Sequence, residues 1–178
     1  MHRRCLFAAL AALPLTMLAR PSMAQTTFSF DSIDGGRYDM AAWRGRPVLV
    51  VNTASLCGYK PQYDELQALH EEYGPRGLVV LAVPSDDFRQ ELASDAAVAE
   101  FCEVNFNLTL PMTTITPVRG TNAHPFYRWL REAHGFAPAW NFNKVLLDGD
   151  GRVVGTYGSN TRPNSRTIRR EIEARLGA

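Results

Sequence analysis

Two apolar stretches, Val48–Val51 and Leu78–Val83, bracket a segment of helical periodicity, and no other feature constrains the fold as tightly. The first stretch is β-branched and leucine-rich, bounded by Pro47 and Asn52. The second follows Gly77 with six consecutive apolar residues, as expected of a central parallel strand covered on both faces. Between them, Pro61 to Tyr73 carries Tyr63, Leu66, Leu69 and Tyr73 at helical spacing, and Pro61 suits a first helical turn. Strand, helix and strand of these lengths make a right-handed βαβ unit.

The remaining elements complete the pattern. Thr27 to Ile33 alternates loosely before the turn signal Asp34-Gly35-Gly36, so a hairpin is expected first. Ser94 to Phe106 reads as a helix with Ala97, Val98, Phe101 and Cys102 on one face, and His124 to Ala133 as another. Val145 to Tyr157 reads as a hairpin turned at Asp148-Gly149-Asp150-Gly151, where glycine supplies positive φ. Ile168, Ile172 and Leu176, spaced four apart, mark a closing amphipathic helix. A βαβ half followed by a ββα half is the thioredoxin-like arrangement, an α/β fold with a central mixed β-sheet flanked by helices. With 46% hydrophobic residues and no repeat or linker, residues 25–178 are expected to form a single domain.

Residues 1–24 have the grammar of a signal peptide. Arg3 and Arg4 open it, an apolar run extends from Cys5 to Ala19, and Ser22-Met23-Ala24 supplies small residues before Gln25. Either a general secretory or a twin-arginine route fits, and the expected destination is the periplasm. Cleavage would remove Arg3, Arg4 and Arg20, leaving 16 basic against 18 acidic residues, a net charge of −2. Without a basic stripe, nucleic acid is not an expected partner. Cleavage also removes Cys5 and leaves Cys57 and Cys102, an even pair that could form a structural disulfide in an oxidising compartment.

Cys57 sits in Asn52-Thr53-Ala54-Ser55-Leu56-Cys57-Gly58, just past a strand and just before a helix. Reaction sites of open α/β sheets gather at such carboxyl ends of strands. Unpaired N–H groups at the helix start and the nearby cation of Lys60 would favour a thiolate, the nucleophilic form. A disulfide oxidoreductase of C-x-x-C type would carry a second cysteine at position 60, where lysine stands. Single-thiolate attack on a peroxide oxygen remains open, as does an inert buried cysteine.

Three segments resemble the glutathione peroxidase family. The Cys57 segment, with Gln62-Tyr63 and Leu66 behind it, looks like the family's active-site signature. Val83-Pro84-Ser85-Asp86-Asp87-Phe88 with Gln90-Glu91 looks like its F-P-C-N-Q-F-G-x-Q-E segment, and Trp140-Asn141-Phe142-Asn143-Lys144 like its W-N-F-x-K segment. The resemblance implies a thiol peroxidase that reduces hydrogen peroxide and organic or lipid hydroperoxides, with thioredoxin or glutathione as thiol co-substrate and no cofactor. It implies a reaction centre of Cys57, Gln90, Trp140 and Asn141, whose neutral donors would surround developing charge. Aligned without a gap the family's glutamine falls on Glu91; one deletion near Arg89 places it on Gln90, the preferred assignment. Arg89 stands where glycine is usual, and Leu92-Ala93 replace the usual Pro-Gly.

Cys102 lies near the resolving cysteine of thioredoxin-using members, although an ungapped match places that cysteine at Glu103. It is the resolving candidate, reached through local helix unwinding, or else a small core hydrophobe. The four histidines show no ligand spacing, so no metal site is expected. Only about twenty residues separate Gly120 from Trp140, which lacks room for the insertion of tetrameric members and implies a monomer with an open site. A peroxide-sensing relay or a non-catalytic binding module would use the same fold.

Overall fold

The structure is a computed structural model that describes residues 27–176, and the expected leader lies outside the described residues. Strand β1 (Ser29–Asp31) pairs antiparallel with β2 (Arg37–Asp39), giving the expected opening hairpin as a separate two-stranded sheet. The two apolar stretches become β3 (Val48–Thr53) and β4 (Val79–Pro84), parallel neighbours with Val48 opposite Val79. Helix α1 (Gln62–Tyr73) crosses between them. The second hairpin, β5 (Lys144–Leu147) and β6 (Val153–Tyr157), adds to β3 antiparallel, so the main sheet runs β4-β3-β5-β6. Helices α2 (Asp95–Phe106), α3 (Pro125–His134) and α4 (Arg166–Leu176) complete the thioredoxin-like fold.

Every residue of β3, β4 and β5 is buried because helices cover both faces of the sheet. Side chains alternate between two cores, as the two-residue strand period demands. Leu49, Val51, Val80, Ala82 and Leu146 meet Tyr63, Leu66 and Leu69 of α1, Val98 and Cys102 of α2, and Ile168 and Ile172 of α4. Val48, Val50, Val79, Leu81 and Val145 meet Phe126 and Leu130 of α3 together with Phe30 from the opening hairpin. The β5–β6 turn uses its two glycines differently from the expectation. Gly151 takes φ 79°, whereas Gly149 leaves room for backbone: an added Cβ would lie 2.8 Å from the Gly45 carbonyl carbon. No helix among the described residues is long and apolar enough to cross a membrane.

Candidate active site

Because β3 and β4 are parallel and β5 runs antiparallel to β3, the carboxyl ends of the first two meet the amino end of the third. Three connecting segments therefore converge at one edge of the sheet: 54–61 after β3, 85–94 after β4, and 138–143 before β5. These are the three segments singled out by sequence.

Cys57 lies in a series of tight turns ahead of α1, with Lys60 N–H donating to its carbonyl at 3.0 Å. The regular helix starts five residues later, at Gln62. One amide does reach the sulfur: Tyr59 N–H donates to Cys57 Sγ at 3.5 Å. Lys60 extends over the Phe101 ring, 5.8 Å from its centroid. Cys57 is 1% exposed, while its neighbour Leu56 is 58% exposed. The thiol thus sits just beneath the surface under an open apolar rim.

The second segment is tied to the first by consecutive bonds. Leu56 N–H donates to the Gln90 carbonyl at 2.9 Å, and Ser55 N–H donates to Glu91 Oε1 at 3.0 Å. The same Oε1 accepts Leu92 N–H at 2.9 Å, and Asp86 Oδ1 accepts Glu91 N–H at 3.1 Å. Arg89, at the usual glycine position, holds φ 56° and donates its N–H to the Asp86 carbonyl at 2.8 Å. That left-handed residue turns the chain so that Gln90 and Glu91 diverge. Gln90 is half-buried and faces the third segment, whereas Glu91 is buried.

Asn141, fully buried, donates Nδ2–H to Gln90 Oε1 at 3.0 Å. This contact identifies Gln90, rather than Glu91, as the amide beside Asn141. The third segment is anchored to the end of β3, where Asn52 Nδ2 donates to the Trp140 carbonyl and Phe142 N–H to the Asn52 carbonyl. Phe142 takes φ 60°, sending its ring into the core against Tyr63. Trp140 is 41% exposed and packs on Phe88, ring centroids 5.2 Å apart, and the Arg119 guanidinium lies 5.1 Å from the Phe88 ring centroid. Among the described residues, neither Gln90 Nε2 nor the Trp140 indole N–H donates to a protein acceptor. Both remain available to a ligand.

Beneath the site lies a buried polar cluster. Thr53 Oγ1, Ser55 Oγ, Tyr63 Oη, Glu91 Oε2 and Asn141 Oδ1 are buried without a hydrogen-bond partner. Burial pushes the Glu91 carboxyl above its usual range, an effect partly offset by hydrogen bonds from Ser55 and Leu92. Cys102 belongs to the same core as Cys57, 1% exposed on the inner face of α2, and both thiols are free. Burial pushes the Cys102 thiol up to about 11. Glu103, the ungapped counterpart of the family's resolving cysteine, is exposed instead.

Sequence reasoning missed the role of Glu91, which it weighed only as an alternative glutamine position. It also gave no role to Lys144, the last residue of the Trp140–Lys144 segment. This fully buried amine donates to Gln62 Oε1 at 2.5 Å and to the Thr161 carbonyl at 2.7 Å, joining the start of β5 to α1. Both stand inside the segments singled out by sequence, which do not indicate that their charged groups would be buried.

Comparison with known proteins returns the glutathione peroxidase family model over residues 26–131. A hydroperoxy fatty acid reductase of Synechocystis sp. is 38% identical over 160 residues, covering 84% of this chain and 94% of that protein. A glutathione peroxidase-like peroxiredoxin of Saccharomyces cerevisiae is 40% identical over 139 residues, covering 75% and 85% respectively. The apo crystal structure of Trgpx superposes with a TM-score of 0.65 at 32% identity, covering 86% of this chain and 97% of that one.

Proposed function

Because the chain belongs to the glutathione peroxidase family and is a thiol-dependent peroxidase, we propose that Cys57 is its peroxidatic residue, with Gln90, Trp140 and Asn141 as donors. The Asn141–Gln90 bond at 3.0 Å, joined to the Cys57 segment through Leu56 N–H and the Gln90 carbonyl, is the observation that carries this reading. Ionised Cys57 attacks the terminal oxygen of a hydroperoxide. The S–O bond forms as O–O breaks, and the departing alkoxide or hydroxide leaves as alcohol or water after gaining a proton. Amide and indole hydrogens aimed at that oxygen stabilise its developing charge. A thiol then condenses with the sulfenic acid, releasing water and forming a disulfide. A second thiol exchanges with that disulfide and restores Cys57.

Exposed Leu56 and Trp140 frame an apolar rim suited to organic and lipid hydroperoxides as well as hydrogen peroxide, and the Synechocystis relative is named for hydroperoxy fatty acids. A thioredoxin-like protein or glutathione serves as reductant, and no cofactor takes part. Cys102 is the resolving candidate. Since it faces the core with its proton firmly held, resolution through it requires α2 to unwind. Residues 1–24 direct export to the periplasm, where the mature chain acts as a monomer.

Turnover of hydrogen peroxide and a fatty acid hydroperoxide, with thioredoxin or glutathione as donor, tests the reading in wild type, Cys57→Ser and Cys102→Ser. Continuous consumption that vanishes in Cys57→Ser is expected, with thioredoxin-linked turnover also lost in Cys102→Ser. Unchanged consumption by Cys57→Ser overturns the assignment. A single stoichiometric burst identifies a relay, and full thioredoxin-linked activity in Cys102→Ser removes the resolving role.

A further inference from the structure

Glu91 is a buried carboxyl that no step of the chemistry above uses. Ordinarily a buried carboxyl is expensive, and desolvation is tolerated when specific bonds compensate it. Here the compensation is unequal: Oε1 accepts two backbone N–H groups, from Ser55 and Leu92, while Oε2 has no partner. One of those amides lies two residues before Cys57, and the other belongs to the segment that carries Gln90. A single oxygen therefore bridges the nucleophile's segment and the donor's segment. The adjacent Leu56-to-Gln90 backbone bond makes the bridge two rungs wide.

The geometry points to Glu91 as a positioning residue for peroxide reduction: its Oε1 sets the spacing between Cys57 and the Gln90–Asn141 pair. This rests on the peroxidatic reading of Cys57. If Oε1 were removed, Ser55 and Leu92 would be left with buried unpaired N–H groups, and the two segments could separate or swing to find water. A displacement near 1 Å between nucleophile and donor is enough to slow a reaction by about 100-fold. The acceptor, rather than the charge, performs this task. A glutamine amide keeps Oε1 in place, and its Nε2 can donate to the Ser55 hydroxyl beside the carboxyl. Burial raises the Glu91 carboxyl above its usual range, so the site does not favour the charge over the acceptor.

Stopped-flow oxidation of Cys57 by hydrogen peroxide, followed by intrinsic fluorescence on the full-length protein, separates these roles. Rates are normalised to the folded fraction from near-UV circular dichroism. Glu91→Ala is expected to lower the second-order oxidation constant by about 10- to 100-fold. Glu91→Asp, which keeps the charge but shortens the reach, falls at least about 5-fold, whereas Glu91→Gln stays within about 3-fold of wild type. If Glu91→Ala does not fold, the Asp and Gln pair decides alone. A folded Glu91→Ala that oxidises at the wild-type rate overturns the inference, as does an Asp variant that outperforms Gln. An unreactive wild type would instead sink the peroxidatic reading itself, so the two failures are distinguishable.

Discussion

Replacing Asn141 by alanine separates chemistry from packing at this site. The side chain is fully buried and makes one hydrogen bond, Nδ2 to Gln90 Oε1 at 3.0 Å, while its Oδ1 has no partner. Losing the bond costs about 0.5–1.5 kcal/mol, but Gln90 is half-buried and its freed oxygen can turn to water. Removing the orphaned Oδ1 returns energy of about 1 kcal/mol. These opposing terms leave a net stability change below about 1 kcal/mol, a shift of no more than roughly 2–4 °C in Tm for a chain of this size. The rate responds differently, because the variant deletes one donor and releases another. Loss of a preorganised donor raises a barrier by about 1.4–4 kcal/mol, so Cys57 oxidation should slow about 10- to 1000-fold. Stopped-flow oxidation and differential scanning calorimetry on the same preparation measure both quantities. An oxidation constant within about 3-fold of wild type, alongside a Tm loss above roughly 8 °C, would make Asn141 a packing residue.

Two further outcomes follow from buried groups away from the reacting atoms. The folded Cys102 thiol keeps its proton up to about 11 against an ordinary 9.0, because burial disfavours the thiolate. The unfolded chain therefore releases that proton first, so stability falls as pH rises from about 9 to 11. Urea titrations should show a shallower fall in Cys102→Ala, and equal slopes would refute the shift. Lys144→Met removes the donor to Gln62 Oε1 and the Thr161 carbonyl. It should destabilise the fold by about 1–3 kcal/mol in urea melts. Stability equal to or above wild type would mean that the burial penalty of the amine outweighs its bonds.

The fold was legible because its strongest signals were local and mutually consistent. Leu78–Val83 is apolar on both strand faces, and in three dimensions it is covered on both. The spacing of Tyr63, Leu66, Leu69 and Tyr73 became the buried face of α1, and Ile168 with Ile172 that of α4. Ser94 was also readable, since its hydroxyl caps α2 by accepting Ala97 N–H. The start of α1 was readable too: the helix expected from Pro61 begins at Gln62, with Pro61 at its cap. What could not be read was the run of turns over residues 57–61 that links Cys57 to the helix.

The three segments of the candidate site were legible in the sequence, and which way their side chains face was not. Gln90 and Glu91 are adjacent, so an alignment can exchange them; only the left-handed turn at Arg89 assigns one to Asn141 and the other to the Cys57 segment. Phe142 plays the matching part on the third segment, where its positive φ sends the ring inward beside the buried Asn141. Neither residue type advertises that conformation, which costs a non-glycine residue about 1–2 kcal/mol. The surroundings must hold it: Asp86 accepts bonds on both sides of Arg89's turn, and Asn52 accepts Phe142 N–H. The same logic applies to Cys102. A helical wheel puts it near Val98 and Phe101, yet only the packing of α2 reveals a thiol fully enclosed while Glu103 meets solvent. Residue identity here reports what chemistry is present; two strained backbone positions and one buried carboxyl decide where that chemistry points.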